Sequence, residues 1–415
     1  MTGVNTVKNE QKGKSDAMKI FHTADWHLGK LVQGVYMTED QQYILDQFIK
    51  DVEAKRPDVI VIAGDLYDRA VPPTEAVQLL DRVLETLVLH LEIPVLAVAG
   101  NHDSPSRLDF GSSMLKASGL HIAGELIYPF EPVVLHDEHG EVHFHLIPYA
   151  EPGKVRYLLR DDTIKTHNDA MCKITETIKA SMNPNARHVF VGHAFVTPGG
   201  EAQNNTSDSE RPLSIGGAEH VSAKHFNGFH YTALGHLHQA HHVGNETIRY
   251  AGSPLKYSIS EEHHNKGYLV VELNGDGNVT IEKRDLTPRR DMRTVEGLIA
   301  DIEKHPINED YVFVRLLDEV LVLSAMERVR SVYPNAMHVE RKMAVAGLLG
   351  ETLAVDGRAQ MDELSLFKAF YKEVKGTELS PETEKLFIET IEEIFKKAGE
   401  RDETVEAYDD CVRAV

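Results

Sequence analysis

At 415 residues, with 42% hydrophobic and 26% charged side chains, the chain is too long for one compact core and reads as a soluble protein of two or three domains. No stretch approaches the roughly 18 apolar residues of a membrane span, and two distant cysteines, Cys172 and Cys411, exclude a disulfide scaffold and fit a reducing cytoplasm. A formal net charge of -21 excludes a simple DNA-binding module, so any basic face must be local, supplied by metal ions or lent by a partner.

The first 17 residues are polar, lack an apolar signal core and read as a disordered leader. A strand-like run follows around Ile20-Phe21. Short β-branched or aliphatic runs recur at residues 59 to 63, 95 to 99, 188 to 191 and 231 to 234, each bounded by Gly, Asp, Asn or His, as buried strands are. Between them, Ile44, Leu45, Phe48, Ile49 and Val52, then Val77, Leu80, Val83, Leu84 and Leu87, recur at helical spacing. This alternation predicts an α/β fold with parallel pairing. Hairpin patterns at 133 to 147 and 268 to 281 suit a second, more antiparallel region of sheet. Residues 199 to 229, rich in Gly, Ser, Asn and Asp, read as a functional loop. Beyond Leu286-Thr287-Pro288 the pattern predicts a smaller unit. It has a helix after Thr294, a strand at 311 to 316, a helix through 320 to 332 and a strand near 337 to 339. Two amphipathic helices close it, at 362 to 375 and 381 to 398, the second with Ser380 as N-cap and Pro381 at its first position.

The predicted strands end in a set of motifs. They are Asp25-Trp26-His27, Gly64-Asp65-Leu66-Tyr67-Asp68, Gly100-Asn101-His102-Asp103, Gly192-His193 and Gly235-His236-Leu237-His238. Loops at the carboxyl ends of parallel strands gather distant side chains into one crevice. Carboxylate, imidazole and amide oxygen together suit manganese, iron or zinc, and the lack of cysteine ligands argues against a structural zinc site. Two ions about 3.5–4 Å apart need a shared carboxylate, and such a pair activates water and stabilises the leaving oxygen of a phosphoester. Asp65 is the residue for that bridge. Among 23 histidines any single one is more often a surface or core residue than a ligand. Five motifs, each at a predicted strand end, point to metal.

In order, these motifs resemble the D-x-H, G-D, G-N-H, G-H and G-H-x-H pattern of the calcineurin-like metallophosphoesterases. The resemblance extends to the nuclease subunits of double-strand-break processing complexes. It rests there on His22-Thr23-Ala24-Asp25-Trp26-His27-Leu28-Gly29, Gly64 to Asp68, Ser207-Asp208-Ser209-Glu210-Arg211-Pro212, Ala233 to His238, and Ala251-Gly252-Ser253-Pro254. It covers about residues 18 to 290 strongly, and beyond that mainly domain order. It implies a two-sheet α/β/β/α sandwich over 18–288, a small α/β capping domain at 289–342, a linker at 343–361, a helical partner-binding segment at 362–398 and an acidic tail at 399–415.

The resemblance further implies one metal between Asp25, His27, Asp65 and His238, and a second between Asp65, Asn101, His193 and His236, with manganese as the ion. His102 resembles the histidine that contacts the scissile phosphate, which implies that it stabilises charge or protonates the leaving alkoxide; the alternative is a hydrogen bond that supports a metal ligand. Asp68 stands where some relatives carry a second active-site histidine, a departure that leaves its catalytic role, such as orienting His102, open; Asp103 reads as a turn residue or a support behind the ligands, not as a ligand. The implied activity is metal-dependent exonuclease and endonuclease cleavage of DNA during double-strand-break and hairpin processing. The implied assembly is a homodimer within a heterotetramer completed by a coiled-coil ATPase.

Other features are weaker. Trp26 reads as packing beneath the site, with base stacking as the alternative. Arg289, Arg290 and Arg293 form a basic cluster that suits either DNA phosphates or a solvated junction. His136, His139, His241-His242 and His263-His264 read as exposed loop histidines. The last two helices carry apolar stripes, from which Leu364, Phe367, Phe370, Phe387, Ile391 and Phe395 are expected to bind the partner unless the helices only pack on each other. A phosphomonoesterase or cyclic-nucleotide phosphodiesterase is the alternative enzyme. Against it, Asp68-Arg69-Ala70-Val71 does not continue as Asp-Arg-Gly, and Asp103 stands where those enzymes have Glu. A non-catalytic scaffold would show lost ligands, and every position is filled.

Overall fold

Val59, Ile60, Val61, Ile62 and Ala63 are consecutive, apolar and all fully buried, a pattern that only a strand covered on both faces satisfies. That strand sits inside a six-stranded sheet. The computed structural model describes residues 17–200, 207, 208, 210, 219–341, 364, 367, 368, 371, 372 and 375–390. The expected leader (all but Ala17), linker and tail lie outside the described residues, as do Phe370, Ile391, Phe395 and most of 201–218.

The first sheet contains β1 (Ala17–Thr23), β2 (Val59–Ala63), β3 (Val95–Val98) and β4 (Leu120–Ala123), all parallel. The second contains β5 (Val133–Asp137), β6 (Gly140–Ile147), β7 (Arg187–His193), β8 (Tyr231–Gly235), β9 (His241–Val243) and β10 (Asn245–Tyr250), in the order β9-β10-β8-β7-β6-β5. A later hairpin, β11 (Gly267–Asn274) and β12 (Val279–Asp285), completes the first sheet as β12-β11-β1-β2-β3-β4.

Strand alternation assigns the faces. Phe21, Ile60, Ile62, Val95 and Ala97 pack against helices α1 (Thr38–Lys55) and α2 (Thr74–Glu85) through Ile44, Phe48, Val52, Leu80 and Val83. Ile20, Val59, Val61, Leu96 and Val98 face the other way and meet Val142, Phe144, Val189, Val191, Tyr231 and Ala233 of the second sheet. The outer face of that sheet, with Phe190 and Leu234, is covered by α3 (Pro152–Leu159) and α4 (His167–Ala180) through Val155, Ile174 and Ile178. The result is the expected α/β/β/α sandwich.

Two expectations are corrected. The second sheet is not mainly antiparallel: β6, β7, β8 and β10 run parallel, and only its edges, β5 and β9, are antiparallel. The hairpin at 267–285 belongs to the first sheet, beside β1, because a hairpin pattern fixes local pairing and not the edge it joins. Helix α4 was not anticipated, although Thr166 and Asp169 form a full capping box at its start.

The chain divides into two compact units, Met1–Thr294 with Glu309–Phe313, and Val295–Asn308 with Val314–Val415. The division runs through β13 (Met292–Gly297) and β14 (Tyr311–Leu316), which with β15 (His338–Arg341) form a three-stranded sheet. The helix expected after Thr294 is present but short, Ile299–Ile302, because the strand continues to Gly297; the helix expected at 320–332 is confined to Ala325–Arg330. Within the second unit, the half-buried Phe367 and Phe387 stack on one another with ring centroids 4.0 Å apart, so at these two positions the helices pack on each other. Leu364 is also half-buried, whereas Leu386 is exposed. Among the described residues no helix is long and apolar enough to cross a membrane.

Candidate metal centre

Strands β1, β2, β3, β7 and β8 deliver the five motifs at their carboxyl ends. The turns there are tight. Asp25 (φ 55), His27 (φ 45), Asp65 (φ 51) and His236 (φ 111) all adopt left-handed backbone that L-residues rarely take, and such strain persists only where the surroundings enforce it. They do so here by stitching loop to loop: Asp25 N–H donates to Gly64 O at 3.0 Å and His27 N–H to Asp65 O at 2.9 Å. Gly235 permits the two sheets to meet at this end, since a Cβ there would lie 1.9 Å from Ala63 O.

The side chains converge. His27 Nε2 lies 3.0 Å from His238 Nε2 and 3.6 Å from Asp65 Oδ2; His193 Nε2 lies 3.4 Å from the same Asp65 oxygen and 2.9 Å from Asn101 Oδ1. Three sets of ligand atoms fall within 4.8 Å of one another: Asp25, His27 and His238; Asp25, Asp65 and His193; and His27, Asp65 and His102. His236 joins none of these sets, but its ring stands edge-on to His193 with centroids 5.4 Å apart, and its N–H donates to Asp25 Oδ1 at 2.9 Å. Asn101 is half-buried and the other six expected ligands are buried.

The donor set fits divalent cations. Two nitrogen or oxygen ligands on one such ion, each about 2.0–2.2 Å from it, are themselves about 3.0–3.4 Å apart, close to the spacings observed. Burial holds His27 and His236 well below the usual imidazole range, so their lone pairs are available. Burial also pushes Asp25 up to about 7, while Asp65, despite its burial, is held low by His193, His27 and His102. His193 is lifted against its burial to about 9 by Asp65 and Asp25, and donates Nδ1–H to Ala63 O at 3.0 Å, which leaves Nε2 toward the cluster.

The supporting residues have distinct tasks. Asp103 accepts from the N–H groups of Gly100, Leu66 and Tyr67 at 2.9, 3.1 and 2.9 Å, so it ties the second motif to the third. His102 donates Nδ1–H to the backbone oxygen of Asp68 at 2.8 Å, and its own N–H reaches Asp65 Oδ1 at 2.9 Å. The Asp68 carboxylate instead pairs with Lys30 at 2.8 Å and lies 4.0 Å from His102 Nδ1. Trp26 is fully buried with Nε1–H on Thr23 Oγ1, which removes base stacking. Arg289, Arg290 and Arg293 pair with Glu39, Asp40 and Asp310. His241 and His242 lie in β9, not in a loop, and His241 and His264 are half-buried.

Several residues here carried no sequence signal. Gln41, buried on α1, donates to His27 O at 2.7 Å and accepts from Gly29 N–H. Glu261 accepts from His238 Nδ1–H at 3.0 Å, and Lys266 pairs with Glu261 at 2.6 Å. Glu210, by contrast, lies inside one of the quoted motifs, and accepts from the His238 backbone N–H at 2.6 Å.

Residues 18–240, more than half of the chain, match the family model of the calcineurin-like phosphoesterases. The chain belongs to that family. Residues 288–375 of this phosphoesterase match a second model, SbcD_C, described as the type 5 capsule protein repressor C-terminal domain, and the two in this order support a nuclease subunit of the SbcD kind. Similar solved structures include TT1561 of Thermus thermophilus, at 11% identity and a TM-score of 0.34 over 64% of this chain and 99% of that one. Another is a dimetal phosphatase from Danio rerio, at 11% identity and a TM-score of 0.35 over 65% and 96%.

Proposed function

We propose that this phosphoesterase is a manganese-dependent DNA nuclease, with exonuclease and endonuclease action on broken ends and hairpins, working as a homodimer with an SbcC-like coiled-coil ATPase in the cytoplasm. The observation that carries the reading is a phosphoesterase centre joined in one chain to a domain of the SbcD_C kind. The bound ions would supply Lewis-acid stabilisation and a water nucleophile at neutral pH.

The chain's own residues do the rest. Asp25, His27, Asp65 and His238 would hold one ion, and Asp65, Asn101, His193 and His236 the other, with Asp65 shared. His102, fixed through Nδ1 to Asp68 O, has Nε2 to stabilise the phosphate or to give a proton to the leaving sugar oxygen. The three arginines at 289–293 are engaged with carboxylates and the chain is strongly acidic, so the partner would supply much of the grip on DNA phosphates.

The test is cleavage of labelled linear DNA by the full chain with Mn2+, with and without the ATPase, beside a chromogenic phosphate ester. DNA degradation is expected. Cleavage of the ester alone, with DNA untouched even when the ATPase is present, overturns the nuclease reading in favour of a phosphomonoesterase. Deleting residues 362–398 should abolish partner binding and leave basal manganese-dependent activity.

A further inference from the structure

Glu261 lies at the end of the short turn Ile259–Glu261 and is fully buried, a placement that is unfavourable for a carboxylate unless it is paired and hydrogen-bonded. It is both. Oε2 pairs with Lys266 Nζ at 2.6 Å and accepts from Tyr257 N–H at 3.3 Å, while Oε1 accepts from His238 Nδ1–H at 3.0 Å and Ser207 Oγ–H at 3.1 Å. A buried ion pair adds little stability over apolar side chains of similar volume, so its position calls for another explanation. That explanation is His238. Lys266 also donates to His238 O at 2.8 Å, and Glu210 takes the His238 N–H, so the ring and both backbone groups of this one residue are held.

The corresponding histidine on the other side is treated differently. His193 Nδ1–H donates to a neutral backbone carbonyl, that of Ala63, and not to a carboxylate. A carboxylate acceptor fixes the imidazole tautomer more firmly and raises the electron density on the opposite nitrogen, which strengthens it as a ligand.

We propose that Glu261 is a positioning residue for His238, and that the cradle of Glu261, Lys266 and Glu210 makes the two halves of the centre unequal. The Asp25–His27–His238 side is the tighter one and depends on Glu261; the His193 side does not. This rests on the metal reading of the site and is independent of whether the substrate is DNA.

The experiment is titration of the metal-free full chain with Mn2+, following free ion by electron paramagnetic resonance. Wild type should take up two ions with unequal affinities. Glu261→Gln should weaken the tighter step about 10–100-fold and leave the weaker one unchanged. Because Glu261→Gln strands the Lys266 charge, the double variant Glu261→Gln/Lys266→Met is read in parallel: it should regain thermal stability while the tighter step stays weak. In the 15N spectrum of the metal-free chain, His238 should carry its proton on Nδ1 in wild type and populate both tautomers in the double variant. Wild-type affinity in the double variant, or equal weakening of both steps, overturns the assignment. Wild type that binds no metal overturns the metal reading itself, and the assignment with it.

Discussion

The Nε2 atoms of His27 and His238 lie 3.0 Å apart in the interior, although the two residues are 211 positions apart in the chain. Two neutral imidazole lone pairs at that distance repel unless a proton or a cation is shared. His238 donates Nδ1–H to Glu261, so in the neutral ring Nε2 is the acceptor facing His27. The fold thus spends left-handed backbone at four of the expected ligand positions to build a cluster in which these two nitrogens are close enough to share one proton or one cation.

His102 tests the division between holding metal and acting on substrate. Its backbone N–H to Asp65 Oδ1 survives substitution, so His102→Leu should lower DNA cleavage about 10²–10⁴-fold while bound manganese is unchanged. Activity and metal content measured on one preparation decide it. Loss of manganese together with activity would make His102 a ligand, the role its grouping with His27 and Asp65 also allows.

Asp68 should matter far less. It holds His102 through its backbone oxygen, which Asp68→Ala preserves, while the carboxylate serves Lys30. The expected loss in kcat is within about tenfold, or ~1.4 kcal/mol in the barrier. A loss as large as that of His102→Leu would show that the carboxylate itself takes part.

Gly235→Ala should destabilise the fold by more than about 4 kcal/mol, because its Cβ would lie 1.9 Å from Ala63 O and force β8 and β2 apart. Gly153→Ala is the control. It sits in α3 with open space around its Cβ and should stabilise by about 0.4–1 kcal/mol. Urea unfolding of both variants measures the contrast, and similar behaviour of the two would refute the close-approach argument.

Acid stability should depend on His145, which is remote from the metal cluster in sequence. It is buried, its Nδ1 has no hydrogen-bond partner, and burial lowers it to about 3 from 6.5. The unfolded chain therefore binds the extra proton between those values, so the neutral ring's contribution is complete above 6.5 and is lost as pH falls toward 3. At about pH 5.5 the loss from this group is about 1.4 kcal/mol. His145→Phe should show a shallower fall in unfolding free energy between about pH 7.5 and 5.5 than wild type. Equal slopes would contradict it.

The site was more legible than the fold around it. Asp65, Asn101, His193 and His236 each follow a glycine, Asp25 ends an apolar run, and His27 and His238 stand two residues beyond Asp25 and His236; chain order alone places such residues at one end of a parallel sheet. What was not legible is long-range. Nothing in Gly267–Asn274 shows that it pairs with β1, and nothing in Ser260-Glu261-Glu262-His263 distinguishes a buried carboxylate from a solvated one. The same holds for Gln41, whose amide reads as an ordinary polar position on α1 until His27 O is found against it.

The most direct test is the number of manganese ions bound per chain. Equilibrium dialysis of the metal-free protein should give two for wild type and fewer for Asp65→Asn, because one Asp65 oxygen lies within 3.6 Å of His27 Nε2 and 3.4 Å of His193 Nε2 and belongs to both halves of the cluster. Two ions of unchanged affinity in Asp65→Asn, or one ion in wild type, would contradict a two-ion centre built around a shared Asp65.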